Sequence, residues 1–144
     1  AYASMYGNTE SAVNRLASAL RPRGVHDLRM FDVSKTHFST IIAAAFRLSH
    51  MVLASPTYNM NLFGPMETLV RDMSALNLQN RHVSIRGNGS WAPAAHNILQ
   101  KMVSEMKVMT LVGDVMLIRS ALTPAQEKEM DGLADAIVAS MRKD

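Results

Sequence analysis

The chain has 144 residues, 48% of them hydrophobic and 19% charged, with a formal net charge of +3. That length fits a single domain, able to bury roughly 68–70% of its unfolded surface, and the balance excludes a disordered chain. With no cysteine, thiol redox chemistry, iron–sulfur ligation by this chain and structural disulfides are excluded.

No apolar run approaches the ~20 residues needed to span a bilayer, and no signal peptide opens the chain, so a cytoplasmic protein without a membrane partner is expected. The densest basic groups, Arg21-Pro22-Arg23 and Arg142-Lys143, stand at expected helix ends, where cations complement the dipole. The other basic residues are scattered, so no nucleic-acid partner is expected. Ala1 is not an initiator methionine and the first motif begins almost at once, so the chain reads as a piece of a longer one.

Ala1-Tyr2-Ala3 is an apolar stub. From Thr9, apolar residues recur at Ala12, Val13, Leu16, Ala17 and Leu20, one face of a helix that Arg21-Pro22-Arg23-Gly24 stops. Residues 25–33 read as a strand around Leu28, Met30 and Phe31, and residues 39–48 as a short helix turning Ile41, Ile42, Ala45 and Phe46 inward. The run Met51-Val52-Leu53-Ala54, ended by Ser55-Pro56, predicts a strand buried on both faces. A helix is expected over 65–76, with Met66, Leu69, Val70, Met73 and Leu76 on one stripe, then a strand over 81–86. Pro93 suits the first turn of a helix carrying Ala95, Ile98, Leu99, Met102, Val103 and Met106. Residues 115–118 give the last strand. Thr123-Pro124-Ala125-Gln126 has the form of a capping box, opening a helix that presents Met130, Leu133, Ala134, Ile137, Val138 and Met141. Most of the twelve methionines sit at such core spacings and read as packing.

Strand–helix alternation implies an α/β protein with a parallel sheet and helices on both faces, binding ligands beyond the carboxyl ends of its strands. Three loops at those ends carry ligand chemistry. The first, Ser4-Met5-Tyr6-Gly7-Asn8-Thr9, joins the apolar stub to a helix start. Free N–H groups and the helix dipole there favour an anion; Ser4, Asn8 and Thr9 add side-chain donors, and Gly7 permits close approach. Without Lys or Arg it departs from the Walker loop and suits one terminal phosphate. A capped helix start with no ligand fits the same residues. The second, Ser55-Pro56-Thr57-Tyr58-Asn59-Met60-Asn61-Leu62-Phe63-Gly64, mixes polar groups with apolar surface, as a flat heteroaromatic ligand needs. Its alternative is a turn anchored by Phe63. The third, Gly87-Asn88-Gly89-Ser90-Trp91-Ala92, combines glycines that allow tight turning with the sole tryptophan, placed to stack on a ring or else to pack in the core. Arg86 precedes it, either facing the ligand or pointing away and neutralised locally, as by Asp114.

The motifs SMYGNT (4–9), SPTYN (55–59) and NGSWAP (88–93) resemble the flavodoxin family, and more closely the flavodoxin domain of flavodiiron proteins, over essentially the whole chain. The resemblance implies a doubly wound five-stranded parallel sheet of order 2-1-3-4-5, counted along the chain, binding FMN. It implies that Ser4, Met5, Tyr6, Gly7, Asn8 and Thr9 hold the phosphate. It puts Pro56, Thr57, Tyr58, Asn59 and Asn61, with Asn88, Gly89, Ser90, Trp91 and Ala92, around the isoalloxazine ring. Tyr6 stands where the commoner flavodoxin loop has a threonine and looks like the flavodiiron subgroup. The net positive charge departs from the usual acidic flavodoxin, and the first strand is short for its central place.

The function so implied is electron transfer through FMN, from a redox protein donor such as rubredoxin or a reductase to a di-iron site that reduces oxygen or nitric oxide. That di-iron domain would lie in the same or a partner chain. None of its ligands can be assigned among His26, His37, His50, His82 and His96, which lack metal-ligand spacing. The loops hold no nucleophile–base pair or paired carboxylates, so the domain is expected to carry electrons rather than make bonds. Homo-oligomerisation is left open. The alternatives are a free-standing flavodoxin or an NAD(P)H-dependent quinone or flavin reductase, for which no nucleotide-pocket insertion is visible. A receiver domain would need an aspartate where this chain has Ala54-Ser55-Pro56.

Overall fold

The structure is a computed structural model describing residues 1–3, 8–58, 61–62, 64–88, 95–113, 116–118 and 124–143. The run Met51-Val52-Leu53-Ala54 lies inside β1 (His50–Tyr58), which continues through Ser55 and Pro56 instead of turning there. Pro56 falls at the parity that faces away from β3, so the β1–β3 ladder needs no N–H from it. β2 (Asn61–Leu62) then folds back antiparallel on Thr57 and Tyr58, so part of the expected second loop is a short hairpin. β3 (Arg81–Asn88) pairs with β1 in parallel over seven residues, from His50 opposite His82 to Pro56 opposite Asn88. Leu53, Ala54, Ser55, Val83, Ser84 and Ile85 are buried, as strands covered on both faces require.

The edge beside β3 is formed by β4 (Met109–Leu111), which sequence reasoning missed, and β5 (Met116–Ile118). Arg81 faces Met109 and Arg86 faces Met116, so the edge carries two extra residues between its contacts and bulges there. Residues 25–33 do not form the expected strand. They contribute one isolated parallel bridge, Asp32 to Tyr2, and Tyr2 bridges to Ala54 of β1 on its other side.

The helices are α1 (Asn8–Leu20), α2 (Phe38–Arg47), α3 (Gly64–Ala75), α4 (Ala95–Ser104) and α5 (Pro124–Lys143), close to their expected spans. α1 passes through a short 3-10 turn, Arg21–Arg23, and stops at Gly24, whose φ of 93° an L side chain would resist. α3 stops at Asn77 with φ 64°: the Leu78 N–H donates to the Met73 carbonyl and the Asn77 N–H to that of Ser74, a Schellman ending.

Two apolar layers sandwich the sheet. Met66, Leu69, Val70 and Met73 of α3 and Ala95, Leu99 and Val103 of α4 pack with Leu53, Val83 and Ile85. On the opposite side Ala12, Leu16, Ala19 and Leu20 of α1 meet Met130, Leu133, Ala134 and Ile137 of α5. Arg15 pairs with Asp131 at 3.0 Å and Arg23 with Asp135 at 2.8 Å, tying α1 and its 3-10 turn to α5. Partly exposed pairs of this kind contribute about 0.2–1 kcal/mol each, so the apolar contact holds the helices together and the ions fix their register.

Candidate functional site

The parallel pairing brings the stems of all three loops to one edge of the sheet. The Ala3 N–H donates to the Ala54 carbonyl (2.9 Å), Ser55 lies opposite Gly87, and Pro56 opposite Asn88. Five residue steps separate Ala3 from Asn8, a reach of at most about 18 Å, so α1 must start at this same edge. Its unsatisfied N–H groups and positive dipole end therefore belong to the carboxyl end of the sheet. Glu10 in its first turn accepts a hydrogen bond from the Tyr2 hydroxyl at 3.1 Å. Burial, that bond and the charges of Glu10 and Asp32 all push the Tyr2 phenol above its ordinary pKa.

Of the expected phosphate residues, Asn8 opens α1 and Thr9 is buried in its first turn; Ser4, Met5, Tyr6 and Gly7 lie outside the described residues. Of the expected ring residues, Pro56 is buried at the end of the paired stretch. Thr57, Tyr58 and Asn61 belong to the β1–β2 hairpin, and Asn88 ends β3. Asn59, Gly89, Ser90, Trp91 and Ala92 lie outside the described residues, as does Asp114.

The role expected of Gly87 needs correcting. It is a strand residue, absent from the positive-φ glycines, and not a turn. A Cβ there would meet the His96 Cβ and the His96 backbone nitrogen, each at 2.8 Å. Its missing side chain lets the first turn of α4 lie directly on β3. Sequence reasoning saw the glycine and took it for a bend, because close helix approach leaves no mark on periodicity.

β3 alternates its faces: Val83 and Ile85 pack under α3 and α4, so Ser84 and Arg86 turn toward α1 and α5. The Ser84 hydroxyl accordingly donates to the Val112 carbonyl at 2.9 Å. Arg86 is only 4% exposed and donates from Nη1 to the Ile85 carbonyl at 2.6 Å. A cation is thus buried at the carboxyl end of the sheet, on the α1 side.

The flavodoxin family model matches residues 1–135. The chain belongs to the flavodoxin family. It is 26% identical over 108 residues to the flavo-diiron protein FprA2 of Clostridium acetobutylicum, a match covering 74% of this chain and 27% of that protein. Among solved structures, the rubredoxin oxygen:oxidoreductase of Desulfovibrio gigas superposes with a TM-score of 0.87 at 21% identity, over 99% of this chain and 35% of that one. A flavodoxin from the domain Archaea gives 0.85 at 20% identity, over 98% of this chain and 95% of its own. This flavodoxin-family chain therefore spans about a third of its flavodiiron relatives and nearly all of a single-domain flavodoxin. None of its described helices is long and apolar enough to cross a membrane.

Proposed function

We propose that this chain is an FMN-binding electron-transfer domain of a flavodiiron-type protein, with FMN held at the carboxyl ends of the strands. One observation carries the reading: three ligand-suited loops hang from stems that the sheet brings to one edge, where α1 also begins. The residues fit the group. A phosphate dianion suits the α1 N-terminus and the donors of Ser4, Asn8 and Thr9, while the loop after β3 brings, in Trp91, a residue suited to stack on a flat ring. The Tyr2 bridges to Asp32 and Ala54 support a sheet order of 2-1-3-4-5.

When bound, FMN supplies the redox chemistry. The chain's part is to bind the phosphate through residues 4–9, to orient the ring between Pro56, Thr57, Tyr58, Asn59 and Asn61 and the loop from Asn88 to Ala92, and to exclude water from its faces. The match to FprA2 supports a di-iron acceptor in the parent protein, and the match to the Desulfovibrio gigas enzyme supports rubredoxin as donor. The near-complete overlap with an archaeal flavodoxin favours, as a second reading, a free-standing carrier. In either role the domain works in the cytoplasm.

Titration of the purified chain with flavins tests the proposal. FMN is expected to bind at about one per chain and at least roughly 10-fold tighter than riboflavin, since the phosphate adds charge-assisted hydrogen bonds at a helix N-terminus. Trp91 fluorescence is expected to be quenched in the same titration. Equal affinity for riboflavin would show that residues 4–9 do not hold a phosphate.

A further inference from the structure

The core stripe of α4 begins on a polar ring. His96, Leu99 and Val103 follow one another at i, i+3 and i+7, and the pattern wants an apolar side chain at each. Leu99 and Val103 are buried, and His96 stands where the helix meets the sheet: a Cβ on Gly87 of β3 would come within 2.8 Å of both the His96 Cβ and its backbone nitrogen. The imidazole Nδ1 is shut off from solvent and meets no hydrogen-bond partner among the described residues. A ring nitrogen buried unsatisfied costs about as much as a lost hydrogen bond, and an apolar side chain would carry no such cost. Packing on Gly87 gives no reason for a polar ring.

The ring leans toward the ligand end. α4 starts against Gly87, next to the carboxyl end of β3, and runs back along the sheet to β4, which begins opposite Arg81. In a helix each Cα–Cβ bond tilts toward the N-terminus, and a side chain covers the turn before its own Cα. From Gly87 the imidazole is therefore carried toward Asn88, the last residue of β3, and away from Leu99 and Val103. Gly87 turns to the same face as Val83 and Ile85, whereas α1 lies across the other face. A ligand whose phosphate sits at the α1 N-terminus and whose ring crosses the strand ends comes to this face from the sheet's edge. FMN has that build: a ribityl chain separates its phosphate from a flat ring whose rim carries carbonyl, imine and N–H groups.

We infer that His96 Nδ1 is a hydrogen-bond partner of the flavin ring, so that the nitrogen orphaned in the chain alone is satisfied when FMN is bound. The inference rests on FMN binding at this edge, as proposed above, and adds a ring contact that none of the three loops supplies. A neutral imidazole donates or accepts at Nδ1 according to its tautomer, so the contact serves either kind of rim atom. Satisfying the nitrogen only on binding removes a cost the fold already carries, and that relief adds to the affinity for the ring. Docking of α4 uses the His96 Cβ and backbone nitrogen, so the packing role and the binding role fall on different atoms.

The test titrates FMN and riboflavin into the parent chain, His96→Leu and His96→Asn, and melts each without flavin. His96→Leu keeps an apolar group on Gly87 and removes the nitrogen. It is expected to melt at or above the parent and to bind both flavins roughly 10-fold more weakly. The asparagine amide sets a polar atom close to where Nδ1 stands, so His96→Asn is expected to keep its affinity within about 3-fold of the parent. By NMR of the isotope-labelled parent, the His96 Nδ1 resonance is expected to move on adding riboflavin, which carries the ring without the phosphate. Unchanged flavin affinity in His96→Leu, or an unmoved resonance, would overturn the contact while leaving FMN binding intact. A loss for FMN alone would put Nδ1 on the phosphate, and equal losses in both variants would make His96 a packing residue; either result overturns the inference. Should His96→Leu fail to fold, the resonance and His96→Asn decide. A parent chain that binds neither flavin would overturn this contact and the FMN reading together.

Discussion

Replacing Gly87 by alanine puts a methyl group where α4 already lies. The new Cβ would stand 2.8 Å from the His96 Cβ and backbone nitrogen and 3.2 Å from its Cα. Carbon atoms pack best from ~3.5 Å outward, so the first turn of α4 must retreat by roughly 0.7 Å. It cannot do so freely, because Ala95, Leu99 and Val103 on that helix are buried. Overpacking of this kind costs about 1–3 kcal/mol, roughly 3–12 °C in Tm for a domain of this size. The retreat also disturbs the carboxyl end of β3 at Asn88, so FMN affinity is expected to fall as well. Thermal melts with and without FMN, together with a flavin titration, measure both effects. Two comparisons sharpen the reading. Gly132→Ala in α5, where an added Cβ meets nothing within 4 Å, is expected to stabilise by about 0.5–1 kcal/mol. His96→Gly, added to Gly87→Ala, removes one of the two closest contacts and leaves the backbone nitrogen, so it restores only part of the loss. A Gly87→Ala chain that melts at or above the parent and binds FMN unchanged would refute the account of α4 docking.

Two further predictions concern stability. Because the Tyr2 phenol is held above its unfolded value of 10.0, its contribution is complete below about pH 10 and is lost as pH rises through the higher folded value. Urea unfolding should therefore weaken with pH above 10 in the parent and less in Tyr2→Phe, which at neutral pH costs about 0.5–1.5 kcal/mol for the lost bond to Glu10. Val108 holds φ at 52° while 68% exposed, so its β-branched side chain carries backbone strain and little packing. Val108→Asn should raise the urea midpoint by an amount equivalent to about 0.5–1 kcal/mol, and a lower midpoint would show that Val108 packs usefully.

Features with a strong period were legible in the sequence. The stripes of α1, α3 and α5 and the apolar run of β1 each follow from burial on a fixed face and appear near their expected places, except that Leu76 lies beyond α3 and, like Phe46 of α2, is exposed instead of turned inward. What failed depends on pairing, which no single segment encodes. Leu28, Met30 and Phe31 have strand composition, yet residues 25–30 join no ladder among the described residues. Met109–Leu111 pairs with β3 although it is only three residues long and two of them are exposed, too little pattern to read. Ser55-Pro56 looked like a stop because proline punctuates strands in general; here it sits where the ladder with β3 needs no donor. At the candidate site, residue chemistry proposed the loops, whereas the packing of Gly87 under His96 left no mark in the sequence.

The three stems reach the ligand end by different routes. The second and third hang from β1 and β3, joined by seven paired residues and buried on both faces. The first hangs from Ala3, whose N–H donates to the Ala54 carbonyl of β1. The helix that follows it is held separately. Its Leu16 and Leu20 pack on Leu133 and Ile137 of α5, and Arg15 grips both carboxylate oxygens of Asp131 at 3.0 Å. The helix end that would face a phosphate is thus positioned by α5 across the layer, independently of the strand that leads into it. A ligand bridging that helix end and the stems of β1 and β3 would tie α1 to the sheet at its carboxyl end. It would stabilise the fold by mass action, about 2.7 kcal/mol at a hundredfold excess over Kd.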